Sequence, residues 1–180
     1  MLNPVFKNCK ALTFDLFGTV LDLGGSLTPH LKIFLDGHGS EINPDKMWQQ
    51  LRYRQRIEQY QDTLLELGHS GYLETVQKAF VYVARANKLD PRIEEISRFM
   101  EGWQLLSPFT ECMAALHKLS EHYKLVALSN GNPLFLDHLV ENRIQFDFDD
   151  VISVEQAGFF KPKSGVYRRA ARNLQLEPGE

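Results

Sequence analysis

The chain has 180 residues, 43% of them apolar and 24% charged, with a formal net charge of −3. That composition is ordinary for a water-soluble globular protein, and it offers no basic footprint for nucleic acid and no polybasic patch for a membrane surface. No window approaches the roughly 18 apolar residues of a membrane span. The opening MLNPVFKNCK lacks the apolar stretch and cleavage site of a signal peptide. Cys9 and Cys112 stand far apart, and the six histidines never pair at ligand spacing. A cytoplasmic protein with free thiols and no metal site is the expectation.

ALTF (11–14), KLVALS (124–129) and VISV (151–154) are short apolar runs bounded by turn or polar residues, the pattern of buried parallel strands. A helix is expected before the second run, with Met113, Leu116 and Leu119 on one face. Another follows it, with Asn132 as N-cap and Pro133 at the first helical position. After the third run Val166, Tyr167, Ala170, Ala171 and Leu174 recur at helical spacing. Between the first and second runs there are only helical patterns. Met47, Leu51, Ile57, Tyr60 and Leu64 form one stripe, and Tyr72, Val76, Phe80 and Val83 a second. A third opens at Asp90-Pro91 with Ile93, Ile96, Met100 and Trp103 inward. The fold expected is α/β. Residues 1–22 and 106–180 would make a Rossmann-like core with a parallel sheet. Residues 23–105 would make an all-helical insertion at the carboxyl edge of the first strand, where such sheets place ligands.

Three residues close the three strands. Asp15 ends the first, before Gly18-Thr19; a carboxylate there can act as a nucleophile through an ester, or simply cap the next element. Ser129-Asn130-Gly131 ends the second and suits either anion binding or ordinary turn chemistry. Lys161 follows the third, held out of helical geometry by Pro162, and can reach back over the sheet edge or sit in solvent. No one of these decides anything. Acid, hydroxyl and lysine in that order at successive strand ends is a far more specific pattern.

FDLFGTV, LSNG and FKPKSGVY resemble the first three motifs of the haloacid dehalogenase (HAD) superfamily, and the helical insertion resembles its cap. The resemblance covers essentially the whole chain. It implies Asp15 as nucleophile, Ser129 with the Phe17 and Asn130 amides on the substrate carboxylate, and Thr19 and Lys161 orienting Asp15. HAD phosphatases carry a second Asp two residues after the nucleophile, as acid and base; here that position is Phe17, which transfers no proton. This is similar to the L-2-haloacid dehalogenase branch, whose leaving halide needs none. YRQRIEQY (53–60) resembles the branch's halide-binding stretch and puts its arginine at Arg54, with Gln55 and Tyr60 lining the pocket. On a helix, Arg54 falls within the stripe of Met47, Leu51, Ile57 and Leu64, while Arg52 and Arg56 point away; an arginine there takes an anion, a buried ion pair or a snorkelling path. Tyr167, six residues after Lys161, is implied as a support for the lysine.

The resemblance implies hydrolysis of short 2-haloalkanoic acids without a cofactor. A Mg²⁺-dependent phosphate-ester hydrolase and a non-catalytic HAD-like binding module are the rival readings. A small-molecule substrate is expected, and a homodimer is an assembly the resemblance allows. The sequence stops at NLQLEPGE, where the linker to a fourth motif with water-positioning residues would begin, so this chain is expected to be impaired in ester hydrolysis.

Overall fold

A computed structural model describes residues 8–177; the expected first seven residues of the core and the final PGE lie outside the described residues. From the N-terminus, β1 (Ala11–Phe14) ends at Asp15, and a tight turn leads into β2 (Leu21–Asp22). Four helices follow: α1 (Leu23–Gly37), α2 (Pro44–Leu64), α3 (Tyr72–Ala86) and α4 (Ile93–Glu101). The chain returns through β3 (Ser107–Pro108), then alternates α5 (Cys112–Ser120), β4 (Lys124–Ser129), α6 (Pro133–Leu139), β5 (Asp150–Ser153) and α7 (Ser164–Leu174).

β1, β4 and β5 form a parallel sheet in the order β1-β4-β5. β4 is its middle strand because KLVALS is buried from Leu125 onward on both faces. Leu125 and Ala127 join the larger apolar cluster, while Val126 and Leu128 join the smaller one under α7 with Ile152, Val166 and Ala170. Alternation of side chains along one strand thus feeds two layers of helices, as a doubly wound sheet requires. The register pairs Phe14 with Ala127 and Ser129 with Ser153, so Asp15 and Ser129 emerge at the same edge.

The helical ends have local causes. Asn43 accepts hydrogen bonds from the Asp45 and Lys46 amides and Pro44 opens α2; Asn132 and Pro133 do the same for α6. Each cap is worth about 1 kcal/mol. Two expectations shift, and one helix is found that apolar periodicity did not mark. VISV is displaced by one residue, because Ser153 caps a short 3₁₀ turn that begins at Val154. α4 starts at Ile93 rather than at Asp90-Pro91, with the Glu95 carboxylate accepting from both the Arg92 amide and its guanidinium at 2.8 Å, and Ile93 is exposed while Phe99 takes the inward place. α1 carries Gly24, Gly25 and Pro29, which hide a helix from propensity; Asp22 caps it by accepting from the Gly25 amide at 2.8 Å.

β2 and β3 pair antiparallel, Leu21 with Pro108 and Asp22 with Ser107, so the helical block leaves and rejoins the core through adjacent strands. Its apolar faces merge with the core's. Leu27, Leu51, Phe80 and Trp103 share one cluster with Leu16, Leu21 and Leu125.

Candidate active site

Asp15 sits where β1 runs out, and the turn beyond it is closed by backbone bonds from Val20 and Leu21 to the Leu16 carbonyl. Gly18 takes φ +88° in that turn, a value a side chain resists. Lys161 Nζ lies 2.8 Å from Asp15 Oδ1 and 2.6 Å from the Leu128 carbonyl. The Ser129 hydroxyl, wholly buried, donates to the same Oδ1 at 3.1 Å. Both donors fall on one oxygen, so Asp15 Oδ2 receives neither. Asn130 braces the lysine from behind: its Oδ1 accepts the Lys161 amide at 3.1 Å. The strand-end acid, hydroxyl and lysine do meet, and Asn130 with them.

Phe17 points into the apolar side of the site and is almost fully buried. Its ring stacks on Tyr72 from α3 with centroids 4.2 Å apart, lies 5.7 Å from Phe135, and meets the Trp103 ring edge-on. Such pairs add about 0.5–1.5 kcal/mol each beyond burial. In the sequence Tyr72 shows only as the first member of a packing stripe. Burial holds its phenol above the usual pKa despite the neighbouring Arg52, so it stays protonated, and the Asp15 charge pushes the same way.

The structure places Arg54 away from the strand-end set. Arg54 turns to Glu58, forms an ion pair with it, and lies over the Tyr82 ring at 4.0 Å. It lines a groove of about 680 Å³ between α2 and α3 that contains no residue of the strand-end set. Arg52 instead bonds Gln55 Oε1 and the Tyr72 hydroxyl, the latter at 3.4 Å. With Arg56, Trp48 and Asp22 it lines a cavity of about 440 Å³ that reaches Phe17 and Gly18. The buried face of α2 runs Met47, Leu51, Gln55, Gln59, Asp62, whereas Tyr60 and Leu64 are exposed. Arg52 and Arg54 flank this face on opposite sides. Counting Ile57, Tyr60 and Leu64 as inward rotated the expected stripe to the wrong flank.

Other expectations also move. Tyr60 lies on the exposed side of α2, away from the cavity at Phe17. Gln55 is completely buried as a pocket residue should be; its Nε2 has no partner among the described residues, which leaves a donor for an acceptor brought from outside. Thr19 is exposed; its carbonyl accepts from Cys112, and no hydrogen bond links its hydroxyl to Asp15 among the described residues. Tyr167 is half-exposed on α7, without a hydrogen bond to Lys161 or Asp15 among the described residues. Ser129 spends its hydroxyl proton on Asp15 rather than standing free for a ligand. No group of three or more His, Cys, Asp or Glu among the described residues could hold a metal ion. None of the described helices is long and apolar enough to cross a membrane.

Residues 9–180 match the model of the haloacid dehalogenase-like hydrolases, and the chain belongs to that family. It is 28% identical over 170 residues to an (S)-2-haloacid dehalogenase of Pseudomonas sp. (strain YL), covering 93% of this chain and 70% of that protein. Another (S)-2-haloacid dehalogenase, from Xanthobacter autotrophicus, is 28% identical over 173 residues, 95% of this chain and 65% of that one. The solved L-2-haloacid dehalogenase of Xanthobacter autotrophicus superposes with a TM-score of 0.82 at 25% identity, over 94% of this chain and 66% of that chain. The chain therefore spans about two-thirds of the length of these relatives.

Proposed function

We propose that the site performs the alkylation chemistry of a 2-haloacid dehalogenase on short 2-haloalkanoates. The reading rests on one observation: Ser129 and Lys161 both occupy Asp15 Oδ1, leaving Oδ2 as the attacking atom beside a wall of Phe17 and Tyr72. Oδ2 attacks the α-carbon, a carbon–oxygen bond forms, and the halide leaves with the bonding pair, inverting the carbon. Water then adds at the carboxyl carbon of the aspartyl ester, releasing the 2-hydroxy acid, a proton and free Asp15. The Phe17 side chain supports this over phosphate transfer, since neither the halide nor this displacement asks for a proton donor there.

In this reading Arg52 replaces Arg54 as the halide acceptor. A guanidinium facing the cavity at Phe17 supplies the charge-assisted contact a departing anion needs. Gln55 Nε2 and the Phe17 and Asn130 amides serve the substrate carboxylate. Residues 23–105 act as the cap over this site. No cofactor is required, and the reaction suits a cytoplasmic enzyme.

Incubation of the chain with racemic 2-chloropropionate tests this. At least one equivalent of chloride per chain is expected, with Asp15 alkylated in any ester that accumulates, and neither in Asp15→Asn. A folded chain that releases no chloride and carries no adduct refutes the proposal; phosphatase activity with Mg²⁺ in the same sample establishes the rival.

A further inference from the structure

We propose that Tyr72 is a positioning residue for the halide acceptor: its hydroxyl, with the Gln55 side-chain oxygen, holds the Arg52 guanidinium near Phe17 and leaves its charge uncancelled. The kinetic consequence rests on the reading of Arg52 as that acceptor; the hold itself is measured separately.

Arg52 and Arg54 leave α2 on opposite flanks of its buried face and meet different partners. Arg54 spends its charge on Glu58. Arg52 has no carboxylate partner among the described residues. Its guanidinium bonds Gln55 Oε1, lies 3.4 Å from the Tyr72 hydroxyl oxygen, and stands over the Trp48 ring at 5.7 Å. Asp22 lines the same cavity, yet its Oδ1 is taken by the Gly25 amide at 2.8 Å. An amide oxygen, a phenol oxygen and an indole face are all neutral. They fix a guanidinium in place without cancelling its charge, and an anion acceptor needs both properties.

Tyr72 is itself firmly placed. It opens α3, where the Thr75 hydroxyl donates to its carbonyl at 2.7 Å. Its ring is stacked on Phe17 and meets Trp103 edge-on with centroids 5.6 Å apart. Burial keeps the phenol protonated beside Arg52, so its oxygen is a neutral acceptor rather than a phenolate counter-ion. Tyr72 is not among the residues lining the cavity that Arg52, Phe17 and Gly18 share. Its part is played through Arg52 and Phe17, both of which it touches. The guanidinium is thereby located relative to the turn that follows Asp15. Without that support a long, rotamer-rich side chain would spread over several positions, and fewer of them would meet the leaving halide.

The test is a double-mutant cycle read in single-turnover chloride release from 2-chloropropionate. Tyr72→Phe keeps the ring and its stack and removes only the hydroxyl. It should slow release roughly fivefold, the worth of one hydrogen bond, with half-saturation by substrate within about twofold of the parent. In an Arg52→Gln background the same change should cost less than about 1.5-fold, because the group it positions is gone. A loss that persists in full without Arg52 overturns the proposal, as does a Tyr72→Phe rate equal to the parent's. If the parent releases no chloride, the dehalogenase reading fails, and NMR of the Arg52 guanidinium decides the hold, its signals assigned by their loss in Arg52→Gln. Rotation of the Nη groups that quickens severalfold in Tyr72→Phe sustains the hold; unchanged rotation refutes it.

Discussion

Lys161 Nζ and Asp15 Oδ1 are 2.8 Å apart, and the same ammonium is tied to the Leu128 carbonyl, so the lysine fixes the carboxylate relative to the middle strand. Replacement of Lys161 by Met removes the charge and the fixed geometry together. The rate of Asp15 alkylation, followed as chloride release in a single turnover, should fall by about 100-fold or more. A loss under threefold would mean that Ser129 alone aligns the nucleophile.

Arg52 and Arg54 make an internally controlled pair. Arg52→Gln should lower chloride release by roughly 100-fold, as expected for a group that meets charge formed in the transition state. Arg54→Gln should leave the rate within about twofold and cost the protein only ~0.5 kcal/mol through its exchange with Glu58. The opposite ranking would restore the assignment made from the sequence.

Phe17 packs against Tyr72, Phe135 and Trp103. Phe17→Ala opens a cavity at the junction of cap and core and should destabilise by about 3–5 kcal/mol, read from urea unfolding. Phe17→Tyr should cost much less. Equal effects of the two would show that the ring interior carries little of the stability.

The Glu95 carboxyl is held down at about 2, chiefly by the Arg92 side chain, then by the Arg92 amide. A carboxylate depressed in the folded state contributes stability that is complete above the unfolded glutamate range near 4.3 and is lost as pH falls towards 2. Urea midpoints measured across that window should decline more steeply for the parent than for Glu95→Gln. Parallel curves would refute the assignment.

Much of this was legible in the sequence, and the gaps have physical causes. ALTF and KLVALS are strands at their expected limits because both are short apolar runs cut off by a polar residue. Asp15, Ser129 and Lys161 meet because strand ends in a parallel sheet share an edge. The sides of α2 were harder. Its buried face is more polar than apolar, with Gln55, Gln59 and Asp62 turned inward, so apolar periodicity drew the stripe to the flank that carries Arg54. The contacts of Tyr72 with Phe17 and of His69 with Asn130 were invisible because the partners are distant in sequence. Thr19 and Tyr167 stand where the motif spacing puts them along the chain, and among the described residues no hydrogen bond ties either to Asp15 or Lys161.

The antiparallel pairing of β2 with β3 has a mechanical consequence. Both crossings between the helices and the sheet lie side by side at Leu21–Asp22 and Ser107–Pro108, and Arg143 grips the returning strand at the Leu105 and Leu106 carbonyls. A swing of the helices about this narrow axle would carry Arg52 along an arc past the turn after Asp15, and it would also have to part Tyr72 and Trp103 from Phe17. The contact of His69 with Asn130 is a second anchorage away from that axle. With these contacts made, any swing that moved Arg52 relative to Asp15 would have to break them.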